Sequence, residues 1–141
     1  MTEAGGPPAP GLRVRSFSRG HAVQEIEARD HRWLADLARG DGGHGLGPTP
    51  LELLLGSFAA HTAIGILALA REKEWAIDAV EVEVAQESGG RQPSAELLRQ
   101  IVVRGELDDA ERRELEGEVG RRWPRAGWLE AGNVRDTYSY D

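Results

Sequence analysis

The alternation of apolar and polar positions changes period several times along the chain, and each change marks an element. From Leu12 to Phe17 the period is two, with Leu12 and Val14 on one face and Arg13 and Arg15 on the other, which predicts a strand. Ser18-Arg19-Gly20 reads as a turn and His21 to Ala28 as the second strand of a hairpin. Arg29-Asp30 turns again, and His31 to Leu37 puts Trp33, Ala35 and Leu37 on one face of a third strand. Arg39 to Gly47 is loop. The pattern then becomes almost continuously apolar from Leu51 to Ala70. Thr49 suits an N-cap, Pro50 the first helical position, and Glu52 completes a Thr-x-x-Glu capping box. A helix is predicted from here to about Glu74, with Arg71 and Lys73 complementing its C-terminal end.

Alternation returns at Ile77 to Glu87, where Val80, Val82 and Val84 face one way and Glu81, Glu83 and Glu87 the other, a strand with one wet face. Ser88 to Pro93 is a turn, and Glu96 to Gly105, with Ile101-Val102-Val103, is the hairpin partner. Asp108 caps a second helix over 109–123 whose Leu115, Val119 and Trp123 fall at i, i+4 and i+8. Residues 125–133 are irregular, and Val134 to Tyr140 makes a last strand with Tyr138 and Tyr140 on one face. Residues 1–11, holding three of the seven prolines, form a tail, and 12–141 a single domain. Hairpin-sized links imply antiparallel pairing, so the expected class is α+β.

A helix that is apolar around its whole circumference must be covered around its whole circumference. One sheet in a chain of 141 residues covers one side. The expected cover for the other is a second copy, approached along the small residues Gly56, Ala60 and Ala63, since twofold dimers are the commonest oligomers.

Composition narrows the function. The net charge of -7 argues against nucleic acid and against an anionic membrane surface as partners. Leu51 to Ala70 is long enough to be tested as a membrane span, but Glu52 and His61 weigh against it, as does the alternation elsewhere. Met1 is followed by Thr-Glu-Ala-Gly-Gly-Pro-Pro, with no basic start and no apolar run, as expected of a cytoplasmic protein. The chain contains no cysteine, so it has no thiolate nucleophile and no disulfide.

The run Gly47-Pro-Thr-Pro-Leu-Glu-Leu-Leu-Leu-Gly, followed by Ala59-Ala60-His61-Thr62-Ala63, resembles the OsmC/Ohr family, whose members are associated with defence against organic hydroperoxides. The Gly42-Gly43 loop, the order of strands and Trp123-Pro124 extend the likeness over the chain after the tail. The resemblance implies an intertwined α+β homodimer, with antiparallel sheets around long central helices. It also places the family's peroxidatic cysteine at His61 and its resolving cysteine at Trp123. Neither residue can do the work of the sulfur it replaces. A thiolate attacks the peroxide oxygen and becomes a sulfenic acid that a second thiol resolves, and neither imidazole nor indole has such a ladder.

These considerations leave five candidate ligand-binding residues: His61, Glu52, Ser57, Arg19 and Trp123. His61 is a base or ligand contact, or else a buried histidine bonded to Ser57 one turn earlier. Ser57 with His61 is a weak nucleophile–base pair, because no third residue orients it. Glu52 lies nine positions before His61, about half a turn out of phase, and its capping role explains it without function. Some family members bring an N-terminal arginine over the reactive cysteine, for which Arg13, Arg15 and Arg19 are available. Trp123 fills the volume beside His61 in this reading. His21, His31, His44 and His61 match no metal-ligand spacing, and the glycine loop lacks the ending of a phosphate loop. No cofactor is expected. The expected function is binding of a small apolar or acyl ligand at the subunit interface. The alternatives are an enzyme of another class using His61 as acid/base and a purely structural dimer.

Overall fold

The computed structural model describes residues 11–86, 97–123 and 134–141. Most of the tail, the 88–93 turn, Glu87, Glu96, Pro124 and the irregular 125–133 stretch lie outside the described residues. The chain forms two compact units, residues 1–53 and 54–141.

In the first unit, β1 (Val14–Ser18), β2 (Gln24–Ala28) and β3 (His31–Ala35) form an antiparallel meander. Each strand is shorter than its apolar–polar pattern by one to three residues, because turn geometry claims the ends. His21 and Arg29 take left-handed backbone conformations, with φ of 48° and 56°, in the two hairpin turns. Trp33 and Leu37 are exposed, and only Ala35 of that predicted apolar face is buried.

Asp36 follows β3 and is also buried. Its Oδ1 accepts the N–H of Leu37 at 2.7 Å, and its Oδ2 accepts those of His44 and Leu46 at 3.0 and 3.1 Å. One carboxylate thereby folds the glycine loop back on β3. The loop needs its glycines: a Cβ on Gly43 would meet the Leu37 carbonyl oxygen at 2.0 Å, and one on Gly47 that of Leu34 at 2.3 Å. The expected tight strand-to-helix turn is therefore present.

The long helix α1 (Pro50–Lys73) starts at the anticipated box. The Thr49 N–H donates to Glu52 Oε2 at 2.7 Å, and the Glu52 N–H donates to Thr49 Oγ1 at 3.2 Å. By length and apolarity α1 meets the criteria for crossing a membrane, yet it belongs to an α+β fold. Only 28% of its most apolar window is buried within the chain.

The second unit contains most of α1, then β4 (Ala76–Gln86), β5 (Leu97–Glu106), α2 (Asp109–Arg122) and β6 (Val134–Tyr140). Asp108 caps α2 in a complete capping box with Glu111. β4 and β5 pair antiparallel, with the register shifting between Ile77 and Ala79 beside Gly105. A Cβ on Gly105 would meet the Ala76 carbonyl oxygen at 2.1 Å.

The pairing of β5 with β6 corrects the expectation of uniform antiparallel pairing, because these strands run parallel. The reason lies in the connection. A whole helix intervenes, so the link is a crossover and not a hairpin, and a crossover returns the chain in the same direction. β5 is thus the central strand, and its alternate residues Arg99, Ile101 and Val103 are buried. The core joins Ile66 and Leu69 of α1, Ile101, Val103 and Leu107, and Leu115 and Val119 of α2.

Candidate functional site

The site is built on the middle of α1, where Ser57, His61 and Gly65 succeed one another at four-residue intervals along one face. Ser57 and His61 are both exposed, and no hydrogen bond joins them. The buried-histidine reading is therefore corrected for the single chain: His61 lies on its uncovered surface. Apolar neighbours share that surface, with Leu54 44% exposed and Ile64 67%. An imidazole flanked by exposed aliphatic side chains is an amphipathic patch, able to hold an apolar body and bond one polar group.

Trp123 closes α2 and is half-buried. Its indole lies against Gly65, where a Cβ would come within 2.4 Å of the ring. The ring thus covers α1 one turn beyond His61, and the absence of a side chain at Gly65 is what admits it.

Beneath this surface lies a residue that periodicity did not single out. Arg99 is completely buried and makes a bidentate pair with Asp136, Nε to Oδ1 at 2.6 Å and Nη2 to Oδ2 at 2.8 Å. Its Nη1 donates to Thr62 Oγ1 at 3.0 Å and to the Trp123 carbonyl at 2.8 Å, and its guanidinium lies 5.0 Å from the Phe58 ring centroid. Thr62 in turn donates to the Phe58 carbonyl at 3.1 Å. One guanidinium therefore joins the residue after His61 to the backbone of Trp123. The available signal was an arginine at even spacing with Ile101 and Val103, on the face that a central strand buries.

Two other candidates have partners within the first unit. Arg19 donates to Glu25 at 2.9 Å and lies 5.8 Å from the Phe17 ring centroid. That pairing raises the Arg19 pKa and holds the Glu25 carboxyl below its ordinary range. Glu52 bonds the Thr49 N–H as a helix cap. Among the described residues no three His, Asp or Glu side chains are grouped to hold a metal.

On the core face of the second unit's sheet, beside Ile101 and Val103, burial first and nearby Asp136 next push the Tyr138 phenol up to about 12. Tyr140 is raised further, by burial and by its hydrogen bond to Glu116 at 2.9 Å. Neither phenol ionises near neutrality, so neither serves as a base there.

Residues 42–132 match the family described as OsmC-like protein. A comparison with curated proteins finds no match. Among solved structures, an OsmC-like protein from Mycoplasma pneumoniae superposes with a TM-score of 0.74 at 17% identity, covering 92% of this chain and 98% of that one. The organic hydroperoxide resistance protein OsmC of Legionella pneumophila gives 0.65 at 16%, covering 96% and 99%. The organic hydroperoxide resistance protein OhrB of Bacillus subtilis gives 0.60 at 20%, covering 93% and 98%. At these identities the structural likeness shows the fold.

Proposed function

The chain belongs to the OsmC-like protein family, which is linked to hydroperoxide stress, and on that premise we propose that it acts as a cysteine-free homodimer binding a small apolar or acyl ligand. The ligand lies at the interface on the α1 surface around His61, and a thiol peroxidase cycle is absent. The observation carrying this reading is the uncovered strip Leu54, Ser57, His61 and Ile64 on a helix whose apolar length is mostly not buried by its own chain. A second copy brings a matching strip, and the imidazoles supply polar groups within an apolar enclosure. A cytoplasmic site of action and a single domain over 12–141 belong to the same reading. The contacts of Glu52 and Arg19 within their own unit make them the weaker members of the candidate set.

Two measurements test it. Pure protein with a dithiol reductant is expected to leave an organic hydroperoxide unconsumed, and robust turnover overturns the reading. Medium-chain fatty acids are expected to raise the melting temperature of the wild type and not of His61→Ala. Equal shifts in both remove His61 from the site.

A purely structural dimer is the second reading, favoured by the Trp123 ring over Gly65 and by the filled interior around Arg99. It predicts that His61→Ala changes dimer stability alone. An acid/base enzyme centred on His61 has less support, because no hydrogen bond joins Ser57 to His61 and, among the described residues, no third group orients them.

A further inference from the structure

On one face of the β1–β2–β3 meander arginines outnumber carboxylates, although the chain as a whole has a net charge of -7. The cross-strand row Arg15–Glu27–Arg32 defines that face. One step beyond the Val14–Ala28 pair, Arg13 falls opposite Arg29. A cleft of about 380 Å³ opens there, lined by Gly11, Leu12, Arg13, Arg15, Glu27 and Arg29. We propose that this cleft binds the phosphate group of a small organic phosphate, held between Arg13 and Arg29 with Arg15 flanking.

The charge balance at the cleft is incomplete. Glu27 is its one lining carboxylate and is already shared, with Arg15 at 3.2 Å and Arg32 at 3.6 Å. Nearby Glu25 is held by Arg19 at 2.9 Å, and Asp30, in the turn with Arg29, lies 3.6 Å from His31. Among the described residues the side chains of Arg13 and Arg29 have neither an ion pair nor a hydrogen bond. Like charges directly opposite each other across a strand pair destabilise it. An anion seated between the two guanidinium groups turns that repulsion into attraction. Arg29 adds a backbone cost, since its φ of 56° lies in the region that suits glycine or asparagine. A long cation kept at such a position points to a ligand role.

The ligand's chemistry follows from the lining. A planar guanidinium presents paired N–H donors that match two oxygens of a phosphate. Two such groups balance a dianion, whereas a carboxylate leaves one of them unmatched. Leu12, 88% exposed, offers apolar surface to the organic part of the ligand. The volume is that of a small-molecule site. The cleft lies within the first unit and is independent of the reading given for α1.

The test titrates the full chain calorimetrically, at low ionic strength, with butyl phosphate, inorganic phosphate and acetate. One equivalent of butyl phosphate per chain is expected, bound more tightly than inorganic phosphate and at least tenfold more tightly than acetate. Arg13→Gln and Arg29→Asn, the latter suited to the left-handed backbone, are each expected to weaken butyl phosphate binding at least tenfold, while Arg113→Gln on α2 leaves it unchanged. Without ligand, both cleft variants are expected to melt at or above the wild-type temperature, because each removes one of two opposed charges. No binding of butyl phosphate, equal affinity for acetate, a preference for inorganic phosphate, an affinity indifferent to both substitutions, or a lowered melting temperature in both variants overturns the proposal.

Discussion

Arg99 stands directly opposite Asp136 in the parallel register of β5 and β6, and the two side chains meet fork to fork. Arg99 is wholly buried, so its charge depends on that carboxylate. Asp136→Ala is expected to destabilise the protein by about 3–5 kcal/mol, because it strands an uncompensated cation in the core. Arg99→Met with Asp136→Leu is expected to recover much of the loss, since an apolar pair of similar volume has no charge to desolvate. Urea unfolding at one fixed protein concentration measures both; a mild effect of Asp136→Ala sinks the account.

Trp123 and Gly65 give a second expectation. Gly65→Ala places a methyl 2.4 Å from the indole carbon Cζ2, so the ring must move. A loss on the order of 1–3 kcal/mol and altered tryptophan fluorescence are expected. Adding Trp123→Leu should relieve the clash, and a double-mutant cycle should show strong coupling between the two positions. Additive effects contradict the packing described.

The Asp36 carboxyl is held below its ordinary range by the Leu46 N–H first, with the Leu37 and His44 N–H groups adding to it against the cost of burial. The folded state then binds the proton more weakly than the unfolded one. The stabilisation is present above the ordinary aspartate pKa of about 4 and is lost as pH falls through the lower folded value. Thermal unfolding across that range should show a steeper acid limb for the wild type than for Asp36→Asn. Parallel limbs would mean that the loop anchor does not carry this linkage.

The uncovered α1 strip makes dimerisation testable by charge. Ile64→Glu puts a carboxylate on the most exposed large hydrophobic side chain of that helix. Light scattering is expected to report a dimer for the wild type and a shift toward monomer for the variant. A dimer unchanged by Ile64→Glu places the subunit contact elsewhere.

Much of the architecture was legible in the sequence, because local chemistry dictated it. Both helix starts follow from capping boxes, at Thr49–Glu52 and Asp108–Glu111, and β4 follows from its Val–Glu alternation. What stayed hidden depends on partners distant in sequence. Arg99 reads as a polar strand end until the crossover brings Asp136 beside it. Asp36 reads as an outward-facing strand residue until the loop folds three N–H groups onto its carboxylate. The contact of the His21 and His44 rings was equally hidden, because two separate loops meet at no fixed sequence interval. The exposure of His61 was within reach: a helix apolar on every side leaves one side bare in a single chain.

The parallel placement of β6 also bears on how the protein is made. Asp136 lies 37 residues after Arg99 and within the last strand, so a ribosome delivers the cation long before its counterion. Until β6 emerges, closing the second unit would entomb a bare guanidinium. Assembly of this unit therefore waits for β6, and a chain cut short before residue 136 is kept open to proteolysis by its own core chemistry.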